Sequence, residues 1–589
     1  LKALFYLNKY FWKYKIRFFS GIIFILISTW FSLRPVDLVG QGLDFAAFAV
    51  DHHLPGDEVS HILLMFGLEI ILHTLIFGFF LFLNRQTIIV MSRLIEYDMK
   101  NEVFEHYQKL DQGFYKRNNT GDLMNRISED VSRVRMYIGP AVMYTISTLV
   151  TLIMTISFML KADVKMTFYV LAPLPVLTVS IYFVSNRINR KSLRVQGQLS
   201  TLSTRAQEAF SGIRVVKAFA HEYETQERFA NEAEEYRSRN MSLAKTEALF
   251  QPFMMLLIGL SIILTIYIGG TEVHAGKVSV GLITAFVLFV IRLTWPIASL
   301  GWVTSLVQRA AASQERINEF LNTKPSVENT NNTPMEFRGN IEFRNVSFTY
   351  PDSGIVALKD FSFSANAGQS VAILGHTGSG KSTVAQLLLR LYDPQNGTVF
   401  IDGNDIRSIN LNAFRASTGY VPQDVFLFSD TIEENIRFNS RKELNNDVEQ
   451  AAKDAAIYSS IIEFPEGFKT MVGERGVTLS GGQKQRISIA RAIVAHPKLL
   501  IFDDCLSAVD TETEEEILTN LRRIMNGKTT VIISHRVSSV RHADKIIVME
   551  DGSIAEEGTH EQLMQRNGIY RKLYDKQVSE LQKKTGTDQ

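Results

Sequence analysis

Three stretches carry residues whose types and spacing suit phosphate chemistry. The first is GHTGSGKST, Gly375 to Thr383, which follows the apolar run SVAIL and precedes the helical pattern VAQLLLRLY. Gly375, Gly378 and Gly380 let the backbone wrap closely, so that the N–H groups of His376, Thr377, Ser379 and their neighbours point at phosphate oxygens. The helix start adds its dipole. Lys381 has the length to reach the β and γ phosphates, Ser382 offers a hydroxyl to Mg2+, and Thr383 completes the cradle. The second stretch is LLIFDDCLSAVD, Leu499 to Asp510. Four apolar residues run into Asp503 and Asp504, the pattern of a buried strand delivering a carboxylate to a metal-bound phosphate. The alternative, a chance acidic strand end, loses ground once the glycine loop stands upstream. The third is LSGGQKQRISIARA, Leu479 to Ala492. Ser480, Gly481, Gly482 and Gln483 make a small-residue turn at a helix start, a second anion site. One triphosphate does not need two such sites in one chain, so the economical assignment is a nucleotide held by another chain.

These stretches all fall in the last 250 residues or so, where composition is that of an ordinary soluble mix. At 589 residues the chain exceeds one domain on the usual scale of ~100–200 residues. The first 310 or so differ, because they hold long uncharged runs. A membrane span needs roughly 20 apolar residues, and residues 140–160, 168–186 and 248–271 carry no charge. Residues 18–33, 62–83 and 278–300 are weaker candidates, which brings the expectation to six helices. The first is expected to close at Arg34 and Pro35, leaving 35–60 as an acidic outer loop. Lys and Arg cluster before residue 18, over 84–139 and over 187–247, so those segments are expected in the cytoplasm, with both termini. The first apolar run follows Arg17 and lacks a small-residue cleavage site, so no cleavable leader is expected. Glu69 and His73 share one helix face, and Arg292 sits near Trp295 and Pro296. Ionisable groups at such depth suggest a polar patch on a substrate cavity; a structural ion pair, or Arg292 facing water, is the plainer alternative. The polar stretch 323–340 reads as a linker, 341–576 as the nucleotide domain and 577–589 as a polar tail. Net charge is +1, so nothing global points to nucleic acid. The lone cysteine, Cys505, excludes an intrachain disulfide and reads as a small buried residue.

Taken together, these motifs resemble an ATP-binding cassette exporter of the half-transporter kind, six membrane helices fused to one nucleotide-binding domain. The resemblance runs from about residue 5 to about 576, and LSGGQ is its most specific element. It implies a membrane all-α domain with long cytoplasmic extensions, joined to an α/β phosphate-loop domain, with ATP and Mg2+ as cofactors. Tyr350 resembles the aromatic that stacks on adenine. Gln423, in YVPQD, resembles the glutamine that senses Mg2+ and the membrane domain, and Asp503 the acid that holds the ion with Ser382. His535, in IISHR, resembles the switch histidine at the γ-phosphate. Glu474, in GERG, and Ser507–Asp510 resemble segments that communicate with the membrane helices and across a dimer. Residues 114–130 and 208–222 resemble the two intracellular coupling segments. The implied activity is ATP hydrolysis coupled to export of amphipathic or hydrophobic compounds, drug or lipid, by alternating access of two half-transporters in a bilayer. A bacterial inner membrane is the implied location.

One position departs from that pattern. The family usually has glutamate where this chain has Asp504, the residue that orients and polarises the attacking water. A base must come within ~2.6–3.2 Å of that water, and aspartate is shorter by one methylene, about 1 Å. In this family such an aspartate often marks one half of a heterodimer whose own phosphate loop turns over slowly. A homodimer in which aspartate serves as base stays open, and so does an ATP-gated channel or regulatory module with little hydrolysis.

Overall fold

The computed structural model describes residues 2–438, 445–473, 476, 479–505 and 511–584. Glu474 and Ser507–Asp510 therefore lie outside the described residues. The chain divides into two units, Leu1–Tyr107 with Gly121–Thr323, and Gln108–Thr120 with Lys324–Gln589.

The first unit is all helix. Among the described residues five helices are long and apolar enough to cross a membrane: Lys15–Asp51, Gly56–Lys109, Thr120–Ala162, Glu222–His274 and Val280–Leu321. The expected segment 168–186 is not among the five. It straddles a break at Ala172 between the helices Val164–Leu171 and Pro173–Ser211, where Pro173 starts a new helix because its missing N–H is not needed there.

The expected loop 35–60 is mostly helix, a correction with a clear packing cause. The first helix continues to Asp51 with Pro35 inside it. Beyond the proline, Gly40 meets Gly281 backbone to backbone; a Cβ on Gly281 would lie 1.9 Å from the Gly40 carbonyl oxygen. One turn further on, Asp44 accepts from the Ser279 hydroxyl and the Gly281 N–H, both at 2.6 Å. Close approach plus capping outweighs the local cost of proline and glycine. The turn itself is confined to residues 52–55.

The core of this unit joins Leu33, Met159, Val170, Phe286, Phe289 and Leu293. By contrast, Leu64, Met65, Leu68, Leu72, Leu75 and Phe79 on the helix Gly56–Asn84 are exposed, the apolar face expected against lipid or a second chain. Asp130, fully buried, is compensated by Ser313 at 2.8 Å and the Arg316 Nε at 2.9 Å.

The second unit is α/β. Its strands are β1 Ile341–Thr349, β2 Val356–Ala365, β3 Ser370–Gly375, β4 Asn396–Ile401, β5 Asn404–Asp405, β6 Thr418–Val421, β7 Leu499–Asp503, β8 Thr529–Ser534, β9 Lys545–Glu550 and β10 Ser553–Gly558. They form a four-stranded sheet, β2-β1-β4-β5, and a six-stranded sheet, β10-β9-β3-β8-β7-β6. In the larger sheet β6, β7, β8, β3 and β9 are parallel. Parallel central strands are buried on both faces, and the side chains of β7 divide accordingly. Leu499 and Ile501 enter one core with β3 and the smaller sheet, while Leu500 and Phe502 enter a second core with the helix Gly481–Ile493. Cys505 is buried in that second core.

Candidate active site

The parallel strands bring the expected chemistry to one edge. Their carboxyl ends carry the phosphate loop after β3, Asp503 and Asp504 at the end of β7, His535 after β8 and Gln423 after β6. Ligands bind at this edge of open α/β sheets.

Backbone conformation builds the loop. Gly378 and Gly380 have φ of +86° and +95°, the left-handed region that side chains resist. Gly380 also has no room, since a Cβ would sit 2.2 Å from the Ala357 carbonyl oxygen. The helix Lys381–Leu388 follows at once. The Lys381 ammonium donates to the carbonyls of Gly375 at 2.8 Å and His376 at 2.7 Å, so it lies across the loop. Burial pulls its pKa below the usual range, against the opposing pull of Asp504 and Asp503.

Ser382 donates to Asp503 Oδ1 at 2.9 Å. Asp503 is 3 % exposed, and burial pushes its pKa up to about 6, with the Ser382 hydrogen bond working the other way. A hydroxyl and a desolvated carboxylate at the mouth of a phosphate loop form the hard-oxygen pair that Mg2+ prefers. Since this ion keeps waters and substrate phosphates as further ligands, two protein groups fit it.

A pH prediction follows from Asp503. Its folded pKa lies above the unfolded carboxylate value, so its contribution to stability is fully present below about pH 4 and is lost as pH rises through about 6. At pH 7.5 without nucleotide the buried charge costs on the order of 3 kcal/mol. Asp503→Asn is therefore expected to raise the melting temperature of the nucleotide-free chain by several degrees at pH 7.5, and by little at pH 4.5. It should also abolish stabilisation by Mg2+ and ATP. A lower melting temperature at pH 7.5 would contradict the desolvation account.

Asp504 adopts φ of +50°. Its N–H donates to the Ile533 carbonyl at 2.8 Å, and its carboxylate oxygens lie 2.9 and 3.0 Å from His535 Nδ1. The expected base and switch histidine are thus one hydrogen-bonded pair. The Tyr350 hydroxyl contacts Thr383 and Gln386, each at 3.0 Å, which sets its ring beside the loop. Gln423 is exposed two residues past β6.

Ser480 caps the helix Gly481–Ile493 in a capping box, its hydroxyl accepting from the Gln483 N–H at 3.3 Å while its own N–H donates to Gln483 Oε1 at 2.9 Å. Gly481 and Gly482 form the helix's first turn. The helix packs Ile487, Ile489 and Ala490 into the second core, while Ser480 and Gly481 at its start are exposed.

Two residues of the site went unread in the sequence. Lys116, in the segment Gln108–Thr120 that joins this unit, holds its ammonium 4.4 Å from the centre of the Tyr350 ring and 5.6 Å from that of Tyr392. Gln577 accepts from the Val537 N–H and donates to the His535 carbonyl, both at 2.8 Å. The expected tail boundary at 577 falls inside the helix Ile569–Lys584, which steadies the His535 turn. Neither contact has a local signal, because both partners are remote in sequence.

Comparison with known proteins identifies the family. Residues 16–297 match the ABC transporter transmembrane region and residues 358–507 the ABC transporter family. The chain is 35% identical over 576 residues to the probable multidrug resistance ABC transporter ATP-binding/permease protein YheI of Bacillus subtilis, covering 97% of each. It is 34% identical to the ATP-dependent lipid A-core flippase of Syntrophus aciditrophicus, over 89% of this chain and 87% of that one. An ATP-bound bacterial Atm1-family ABC exporter superposes with a TM-score of 0.79 at 27% identity, over 96% of this chain and 98% of the other. With both units matched and relatives of this identity along nearly the whole length, the chain belongs to the ATP-binding cassette transporters, as a half-transporter of the exporter type.

Proposed function

We propose that this chain exports amphipathic or hydrophobic compounds, drugs or lipids, across a bacterial inner membrane, at the expense of ATP and as one half of a dimer. The observation that carries the proposal is one sheet edge that holds the phosphate loop, the Ser382–Asp503 pair and the Asp504–His535 pair, on a chain that also has five apolar helices of spanning length among its described residues. Tyr350 stacks on adenine, and the loop from Gly375 to Thr383 wraps the phosphates with Lys381 across them. Ser382, Asp503 and Gln423 would hold Mg2+, which supplies charge neutralisation on the phosphates when bound. Asp504 orients the attacking water and His535 steadies both that carboxylate and the γ-phosphate.

The Ser480–Gln483 turn presents a helix N-terminus to the nucleotide of the partner chain. Closure of two such sandwiches drives the membrane helices from inward-open to outward-open, by as much as ATP prefers the closed state and no more. The nucleotide-binding unit and both termini face the cytoplasm, on the side where Lys and Arg gather. The short Asp504 favours a heterodimer, in which this chain's intact Ser480–Gln483 completes the working site of a partner.

ATP-dependent uptake of a lipophilic dye into inverted vesicles tests export; nucleotide binding without uptake would favour a gated channel or a regulatory module. Ser480→Arg tests the trans arrangement. It places a bulky cation at the helix start and is expected to lower hydrolysis in the assembled dimer at least tenfold, while a fluorescent nucleotide still binds this chain's own loop with unchanged affinity. Loss of binding at that loop would refute the trans assignment.

A further inference from the structure

Arg292 lies on the buried stripe of the helix Val280–Leu321, between Phe289 and Pro296 and in line with Ser299 and Val303. It is roughly 18 Å of helix beyond Val280, at membrane depth. A guanidinium there is costly unless paired, and it carries five N–H donors. Among the described residues its hydrogen-bond partner is the Ser32 hydroxyl, which itself donates to the Thr29 carbonyl. Its Nε is buried with no acceptor.

Three acids of this unit that lie near the helix ends are committed elsewhere. Asp37 pairs with Arg34, Asp44 caps Ser279 and Gly281, and Glu272 pairs with Lys165 and Lys277. Glu69 makes no ion pair among the described residues; His73 bonds the Glu69 backbone carbonyl, not its carboxylate. Among the described residues Arg292 makes no ion pair; Ser32 is its partner, and Leu33, Phe289 and Leu293, its neighbours in sequence or those of Ser32, belong to the apolar core. The side chain as a whole is only half-buried, so an incoming group has access to the guanidinium.

Resting on the export reading above, we infer that Arg292 binds the anionic headgroup, phosphate or carboxylate, of an amphiphilic substrate whose chains lie along the neighbouring apolar surface. A planar donor fork suits such oxyanions. Among the described residues the Ser32 hydroxyl is the one polar side-chain partner of Arg292, and no carboxylate pairs with it. Selection is then by sign: an anionic amphiphile regains at Arg292 what it loses on leaving water, whereas a cationic one of the same chain length meets a like charge.

Two of the chain's four tryptophans, Trp295 and Trp302, lie on the same helix and are exposed, which provides a readout independent of ATP. The full-length chain is placed in nanodiscs of zwitterionic lipid and titrated with bromododecyl phosphate, bromododecyltrimethylammonium and bromododecyl maltoside, whose bromine quenches nearby tryptophan. Wild type is expected to take the phosphate at least tenfold more tightly than the ammonium. Arg292→Gln should bring the two within about twofold with the maltoside unchanged, and Arg292→Lys should keep most of the preference. Where Arg292→Gln does not insert, Arg292→Met serves in its place. No anion preference in wild type, or an undiminished preference in both neutral variants, overturns the inference. So does a preference that falls only in proportion to lost dimer, which would assign Arg292 to a carboxylate of the partner chain. A brominated phosphatidylglycerol, compared with the single-chain phosphate, separates a lipid from a drug-like source of the headgroup. Vesicle uptake of the three probes is run in parallel. Uptake without regard to charge leaves export standing and sinks the role of Arg292, whereas binding with no ATP-driven uptake sinks export instead.

Discussion

Lys381→Ala is expected to weaken ATP binding at this chain's own phosphate loop by tenfold to a hundredfold, with the fold intact. The lysine is held across the loop by two carbonyls, Gly375 and His376, and is partly desolvated. A triphosphate exchanges those neutral acceptors for charged ones, and a hydrogen bond to a charged group contributes about 1.5–3 kcal/mol, which is the stated range of affinity. The second consequence is electrostatic. Asp503 and Asp504 both act on Lys381; without it a tetra-anionic ligand would approach two carboxylates with no side-chain cation between them. Lys381→Arg retains the charge but not the compact ammonium, and should fall between wild type and alanine. Titration with a fluorescent ATP analogue, with and without Mg2+, measures all three. Wild-type affinity in the alanine variant would remove Lys381 from the site and with it the assignment of this loop.

How much of this was legible in the sequence depended on the range of the cause. The phosphate loop is local chemistry: strand, glycines and helix adjoin, and Gly378 and Gly380 take the positive φ their positions required. LLIF is legible for the same reason, since a run of apolar residues without alternation implies burial on both faces, and β7 divides its side chains between two cores. The helix through 35–51 was not legible, because Pro35, Gly40 and Gly42 are local breakers. What overrides them is Gly281, more than two hundred residues away, at which the two backbones touch. The same limit hid Lys116 and Gln577. A lysine next to Tyr115 and a glutamine in a polar tail carry no pattern of their own, and each acquires a role only when folding sets it against Tyr350 or His535. The pairing of Asp504 with His535 lies between these cases. Each was singled out by position in its motif, but their mutual contact depends on β7 and β8 being neighbours in the sheet.

That pairing decides the second large effect, Asp504→Glu. The aspartate carboxylate is drawn sideways, both oxygens within 3.0 Å of His535 Nδ1, on a backbone already in the left-handed region. Its N–H is committed to Ile533, so the main chain is not free to advance and make good the missing methylene. An attacking water in line with a bound γ-phosphate would therefore sit about 1 Å beyond comfortable reach, a misplacement worth ~10²-fold in rate. Glutamate restores the reach while still able to meet His535, and the acidity of the two side chains differs little. Steady-state ATPase of the purified chain should rise by tenfold to a hundredfold in the variant with ATP affinity unchanged, since the water rather than the nucleotide is repositioned. In single-turnover measurements the gain should appear in the cleavage step. A gain of that size would identify this loop as the slow site of a pair and send the search to a partner half-transporter carrying glutamate at the matching position. Turnover equal within twofold, from a stable dimer of this chain alone, would make Asp504 a competent base and the homodimer the working form. His535 would then be the group that compensates for its length, and His535→Ala should cost the wild type more than it costs the glutamate variant.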